Sequence, residues 1–166
     1  MQKSLMAVCD DGKMSMIKQL TKQEIINALP MVCKVFNEYE AVNYPPSGTQ
    51  SFYHAIHDEG FISQLSAYGA FDGDSLIGIL AARNEGGHIA LFFVDGAYHG
   101  RGIGRSLWNA FLADSDKDEI TVNSSLFAVG IYEKLGFTKT AEPQEDSGIR
   151  FIPMVYRNKK GQKNGV

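Results

Sequence analysis

The chain has 166 residues, 44% of them hydrophobic and 21% charged, which fits one soluble domain with its own core rather than two. A net charge of −3 argues against broad nucleic-acid binding, and no run of 18 apolar residues exists to cross a membrane. Two cysteines without a CxxC pair or a Cys/His cluster point to reduced thiols in a cytoplasmic setting rather than to a disulfide or zinc scaffold.

In chain order, residues 1–13 read as a loose leader, with Met14 and Met16 as alternative starts. Arg157–Val166 reads as a solvated basic tail, so the folded domain is expected over 14–156. Ser15–Leu20 alternates like a strand. Thr21 and Glu24 carry a capping-box signature, and Ile25, Leu29, Val32 and Phe36 recur at spacings of three and four. A helix is therefore expected from about Lys22 to about Tyr39, with Pro30 as the point where it would kink. Asn43–Thr49 reads as a loop and Gln50–Ser66 as one or two short helices. Within it, His54 and His57 stand beside Asp58 and Glu59, but no third metal ligand has suitable spacing, so a polar surface helix is expected there. Ala67–Asp72 and Leu76–Arg83 form a hairpin across Gly73 and Asp74. His88–Val94 is nearly all apolar, as for a strand buried on both faces. Ile103, Leu107 and Phe111 share a helical stripe. Ile120–Val122 is a short strand, and Leu126–Leu135 a helix with the stripe Phe127, Ile131 and Leu135, stopped by Gly136. Gly148–Tyr156 closes the set as a strand. Strands and helices alternate in this order as in a mixed α/β domain.

The 17 glycines amount to about 10% against an average near 7%, and Gly96, Gly100, Gly102 and Gly104 fall together between the strand ending at Val94 and the helix after it. Such a turn aims free backbone N–H groups and the positive end of a helix at one point. Glycine adds close backbone approach, so a phosphate or pyrophosphate is the natural guest. Arg101 and Arg105 add positive charge. No lysine follows the glycines as in a P-loop, and the dinucleotide spacing fails at Arg105 or Leu107. A glycine-rich turn without a ligand is the competing reading.

The string HIALFFVDGAYHGRGIGRSLWNAF, followed by the Asn123 to Phe137 segment with AVGIYEKLGF and then by GIRFIPMVY, resembles the GNAT-superfamily N-acetyltransferases. The resemblance covers about Met16 to Tyr156 in element order and is specific from about His88 to Phe137. It implies a single α/β (α+β) domain with a mixed, mostly antiparallel sheet of about six or seven strands, flanked by about four helices. The fourth and fifth strands of that fold splay apart. It further implies that His99, Gly100, Arg101, Gly102, Ile103 and Gly104, in the family's [Q/R]-x-x-G-x-[G/A] pattern, bind the pyrophosphate of acetyl-coenzyme A, with Arg105 beside them. His99 departs from the pattern's leading Gln or Arg. Tyr132 corresponds to the tyrosine near the coenzyme sulfur, and a phenol is protonated at neutral pH. Asn123 corresponds to a position that hydrogen-bonds the coenzyme arm, with helix capping as its competing role. His88 stands where members often carry a glutamate base, and a backbone N–H at Phe93 or Val94 would face the oxyanion of a tetrahedral intermediate.

The acceptor side is expected between the first helix and the hairpin, where Glu38 and Glu40 lie near Tyr39, Tyr44, Phe52 and Tyr53. Carboxylates beside aromatics suit a cationic amine: a small amine, an amino acid, a polyamine-like molecule, or a protein or peptide amine. A solvated acidic face is the alternative. The functional expectation is direct acetyl transfer from acetyl-coenzyme A to an amine without a metal, by a monomer or a homodimer. The alternative is a coenzyme-binding regulatory module without turnover.

Overall fold

A computed structural model describes residues 4–8 and 14–159. Its nine strands are β1 (Ser4–Val8), β2 (Met14–Gln19), β3 (Ser66–Asp72), β4 (Ser75–Arg83), β5 (His88–Val94), β6 (Glu119–Ser124), β7 (Thr138–Lys139), β8 (Gln144–Asp146) and β9 (Ile149–Arg157). They lie in the order β1-β2-β3-β4-β5-β6-β9-β7, with β8 paired to β9. All pairings are antiparallel except β5 with β6. Five helices accompany them: α1 (Lys22–Tyr39), α2 (Pro46–His57), α3 (Glu59–Ser63), α4 (Ile103–Asp114) and α5 (Val129–Leu135). The mixed sheet is as expected, with more strands and one more helix than the resemblance implied. No helix among the described residues is long and apolar enough to cross a membrane.

Both chain ends differ from the sequence reading. Ser4–Val8, inside the expected leader, is placed as a strand against β2, while residues 9–13, and Cys9 with them, lie outside the described residues. At the other end β9 runs through Arg157, whose guanidinium pairs with Glu119. Asn158 is buried and its N–H donates to the Asp118 carbonyl at 2.7 Å. Arg157 and Asn158 are therefore not part of a solvated tail, and residues 160–166 of that expected tail lie outside the described residues.

Helix α1 has the expected bounds. Thr21 Oγ1 accepts from the Glu24 N–H while the Glu24 carboxylate accepts from the Thr21 N–H, a complete capping box. Its apolar stripe is buried, and the helix passes Pro30, on the exposed face, without ending. Helix α2 starts inside the expected loop because Pro46 occupies its first position, where a missing N–H costs nothing. Asp58 then separates α2 from α3, accepting from the Phe61 N–H at 2.8 Å. His57 on α2 turns Nδ1 to the Tyr53 carbonyl at 2.8 Å. Among the described residues no three His, Cys, Asp or Glu side chains cluster as a metal site.

The sheet separates two apolar cores. One, under α4, includes Leu80, Leu107, Trp108, Ile120 and Met154; the other, under α1, includes Val32, Phe36, Ile79 and Leu91. Strand β4 is buried on both faces because its alternate residues enter alternate cores. Strand β5, expected to be the same, instead alternates between buried and half-buried residues. Its register explains this. Ala81 pairs with Leu91 and Ala82 with Ile89, so Ala90 is an extra residue, a β-bulge. Ile89 faces the α4 core and Leu91 the α1 core.

Past the bulge, β5 loses its second neighbour. It meets β6 only through His88 opposite Thr121 and Ile89 opposite Val122, while β6 continues to Ser124 against β9. Trp108 anchors α4 beside this split, with ring centroids 5.1 Å from Phe137 and 5.0 Å from Tyr156. Replacing Trp108, 2% exposed, by alanine should lower unfolding stability by about 3–5 kcal/mol, measured by urea denaturation followed by far-ultraviolet circular dichroism.

Candidate active site

Where β5 ends, the Asp95 N–H donates to the Ile77 carbonyl at 2.8 Å, and the Asp95 carboxylate accepts from the Ala97 N–H at 3.0 Å. A 3-10 turn, Gly96–Tyr98, follows. A Cβ on Gly96 would stand 2.6 Å from the Tyr39 hydroxyl, so glycine admits the end of α1 to this turn. Gly100 and Gly102 have φ of +76° and +80°, which glycine adopts without penalty. Gly102 is the N-cap of α4, and no side chain caps that helix. The first intrahelical hydrogen bond runs from the Ser106 N–H to the Gly102 carbonyl at 3.0 Å. The N–H groups of Ile103, Gly104 and Arg105 therefore lack intrahelical acceptors and face the loop. Arg101 lies over the Tyr98 ring at 5.2 Å. Arg105 reaches across to the Lys134 carbonyl at 3.2 Å. The His99 ring is engaged as well, with Nε2 2.7 Å from the Val94 carbonyl oxygen and its centroid 4.9 Å from that of Tyr39. The loop thus presents backbone at its centre and cations at its edge.

A cavity of about 420 Å3 runs from this loop between β5 and α5. Here the sequence reading of α5 needs correction. The helix starts at Val129, not Leu126, and the stripe of Phe127 and Ile131 is not core: they are 53% and 52% exposed and form a wall of the cavity. Val129 and Tyr132 pack inward instead. Gly130 has no protein neighbour within 4 Å of where its Cβ would be.

Strand alternation orients the edge of β5. The Asp95 N–H points to β4, so that of Phe93, two residues earlier in the same ladder, does too, and the N–H and C=O of Val94 point to the open side. The His99 contact with the Val94 carbonyl agrees with this direction. Phe93 offers only its buried side chain there, whereas Val94 offers backbone.

A second cavity, about 200 Å3, lies on the other side of the split. Five residues line both cavities: Glu40, Phe92, Phe93, Ala128 and Tyr132. The Tyr132 ring is held by Phe92 at 6.0 Å and Phe137 at 5.3 Å between centroids. Glu40 is the C-cap of α1. Burial raises its carboxyl above the usual range, partly offset by a hydrogen bond from the Ser125 hydroxyl. The negative end of the α1 dipole acts in the same direction as burial. Burial and then the Glu40 charge push the Tyr44 phenol up to about 12, and the same two causes, in that order, raise Tyr132 further. One carboxylate thus faces both cavities.

The remaining candidates lie apart. His88 is at the far end of β5, half-buried, with Nδ1 2.8 Å from Thr121 Oγ1, and it lines neither cavity. Burial, helped by the Arg83 charge, lowers it to about 4. Glu38 is exposed on α1 and lines neither cavity. Asn123 lines the second cavity rather than the one beside the loop, and it does not cap α5, whose preceding turn is held by Ser125. Phe151, on β9, also lines the second cavity. Its sequence carries no sign of this, because one aromatic on an alternating strand reads as core. Ser125 stands in a motif segment but became informative only beside Glu40.

The family comparison covers most of this architecture. The acetyltransferase (GNAT) domain family matches residues 17–158. No curated protein sequence matches at a significant level. A GCN5-related N-acetyltransferase from Rhodopseudomonas palustris is similar in fold, with a TM-score of 0.73 at 16% identity over 92% of this chain and 98% of its own. The PaiA N-acetyltransferase from Thermoplasma acidophilum, solved in complex with coenzyme A, has a TM-score of 0.70 at 17% identity over 86% of this chain and 98% of its own. With a matched span that includes the split sheet, the glycine loop and both cavities, this chain belongs to the GNAT acetyltransferase family.

Proposed function

We propose that the protein transfers the acetyl group of acetyl-coenzyme A to the primary amine of a small molecule. The observation that carries this reading is the meeting of two cavities at Glu40 and Tyr132. One cavity begins at an uncapped helix N-terminus suited to a diphosphate, and its apolar walls suit an extended arm. The other ends on a carboxylate suited to an amine.

The residues fit acetyl-coenzyme A. The N–H groups at the start of α4, approached across Gly100 and Gly102, would hold the diphosphate, with Arg101 and Arg105 supplying charge. Phe92, Phe127 and Ile131 would flank the arm. When bound, the coenzyme supplies an acyl group activated as a thioester. Glu40 receives the amine, and enclosure lowers the amine pKa while raising that of Glu40, which narrows the gap for proton removal. The amine nitrogen bonds to the acyl carbon as the carbon–sulfur bond breaks. The Val94 N–H faces the carbonyl oxygen, where negative charge develops. The ammonium would give one proton to Glu40 before attack, which Glu40 would then release to solvent. The second proton, lost from nitrogen after it has bonded to carbon, would pass to the departing sulfur by way of the Tyr132 hydroxyl, so that one amide, one thiol and one proton balance the ammonium and the thioester. Tyr132, raised above the ordinary phenol, keeps its own proton at neutral pH and is available as a hydrogen-bond donor to that sulfur. In this reading Glu40, not His88, serves as the base, because His88 borders neither cavity.

The direct test is thiol release from acetyl-coenzyme A across a panel of amines, with thermal shifts for acetyl-coenzyme A, ATP and NAD. Stabilisation by acetyl-coenzyme A with no thiol release on any amine would instead favour a coenzyme-binding module. Gly102→Val puts a branched side chain at φ +80°, where the left-handed conformation costs about 1–2 kcal/mol, and should weaken coenzyme binding at least about tenfold by calorimetry. Tyr132→Phe should lower kcat about 100-fold with little change in coenzyme affinity; equal losses in both would make Tyr132 a packing residue. Glu40 must be ionised to accept a proton, so kcat/KM should rise with pH through a midpoint above the usual carboxylate range. Glu40→Gln should abolish that limb and lower kcat about 100-fold or more, as read from full pH–rate profiles.

A further inference from the structure

The second cavity constrains the acceptor more narrowly than its carboxylate does, on the footing of the acetyltransferase reading above. Its volume, about 200 Å3, falls below the roughly 300–1,000 Å3 of sites for drug-sized ligands. Its walls carry the rings of Phe36, Tyr44, Phe52, Phe93 and Phe151 beside Glu40. Three of these rings are stacked: Phe36 lies 3.9 Å from Phe52 and 5.8 Å from Tyr44 between centroids.

The charges in the wall are the deciding feature. Glu40 is the only charged side chain among the described residues lining this cavity, and no lysine, arginine or histidine joins it. An amino acid would bring a second carboxylate beside Glu40, with the Asn123 amide and the Ser125 hydroxyl in the wall but no cation to meet it. A polyamine would bring a second ammonium with no second carboxylate. An enclosed charge without a partner costs several kcal/mol. A monoamine has neither problem: its single ammonium meets Glu40 and the faces of neighbouring rings, and an apolar body covers the rest.

The cavity is also closed on one side. A Cβ on Gly48 would stand 2.4 Å from the Gly148 carbonyl oxygen, so the start of α2 and the β8–β9 turn touch backbone to backbone. Ser51 Oγ lies within donating reach of both the Ser47 carbonyl at 2.9 Å and the Ser147 carbonyl at 3.0 Å, and Tyr44 Oη donates to the Arg150 carbonyl at 3.3 Å. These contacts join the segments that supply Tyr44 and Phe52 to the strand that supplies Phe151. An extended peptide passing this side would have to break them.

We infer that the acceptor is a small primary monoamine with an apolar, ring-sized body and no carboxylate, an arylalkylamine in chemical class. The matched pair 2-phenylethylamine and L-phenylalanine, which differ by one carboxylate, tests this together with spermidine and a lysine-containing peptide. Thiol release from acetyl-coenzyme A should give 2-phenylethylamine a kcat/KM at least about 100-fold above each of the other three, as an unpaired enclosed charge requires. Phe151→Lys, which supplies the missing cation, should narrow the gap to phenylalanine about tenfold or more. Equal or better turnover of phenylalanine, spermidine or the peptide would overturn the inference and leave the acetyltransferase reading standing. If no amine releases thiol, calorimetry with coenzyme A present separates the two. Binding of 2-phenylethylamine without phenylalanine keeps the acceptor class and removes the activity, whereas binding of neither amine, or of both equally, removes the class.

Discussion

The parting of β5 from β6 after two paired residues is the constraint on which the rest of the molecule depends. Buried backbone must find hydrogen-bond partners, so a strand that leaves its neighbour in mid-sheet needs both a reason and a substitute. The bulge at Ala90 re-aims β5, and β6 is kept in the sheet through its opposite edge, paired with β9 from Glu119 to Ser124. The edge of β5 beyond Ile89 is left without a strand, and Val94 turns its N–H and carbonyl into that gap. Both cavities exist because this gap is not closed by protein.

Glu40 draws its significance from the same gap. A carboxylate at the C-terminal end of a helix, enclosed by aromatic rings, is unfavourable on two counts, since burial and the helix dipole both oppose its charge. One hydroxyl, that of Ser125, offsets part of this, and Ser125 Oγ is itself anchored by the Ala128 N–H at 3.2 Å. The turn before α5 therefore positions Ser125 against Glu40 while α5 positions Tyr132. Both cavities are tied to this turn and one short helix through Ala128 and Tyr132, so a displacement of α5 would be felt in both.

Reading the sequence alone went furthest where chemistry is local. The capping box of Thr21 and Glu24, the bounds of α1, the turn at Gly73 and Asp74, and the glycines at positive φ follow from interactions within a few residues. The pattern of α5 misled for a physical reason. Phe127 and Ile131 have helical spacing, but an apolar face can be turned to a cavity as readily as to a core, and periodicity does not distinguish them. His88 shows a different limit of the sequence, since it lines neither cavity. Its place on β5 was right, yet six residues of extended chain, about 20 Å, separate it from Val94.

What the sequence determined by itself is the strand, glycine turn and helix with an uncapped start, because backbone conformation there depends on residues lacking a Cβ. It also marked Tyr132 and a carboxylate-bearing segment near Glu40. The tertiary structure decided which carboxylate meets the cleft, which face of α5 is a wall, and that Val94 rather than Phe93 presents backbone to the opening. Those outcomes rest on contacts between residues far apart in the chain: Glu40 with Ser125, Gly48 with Gly148, and β6 with β9. No local pattern encodes such pairings, since each is set by how the packed sheet divides.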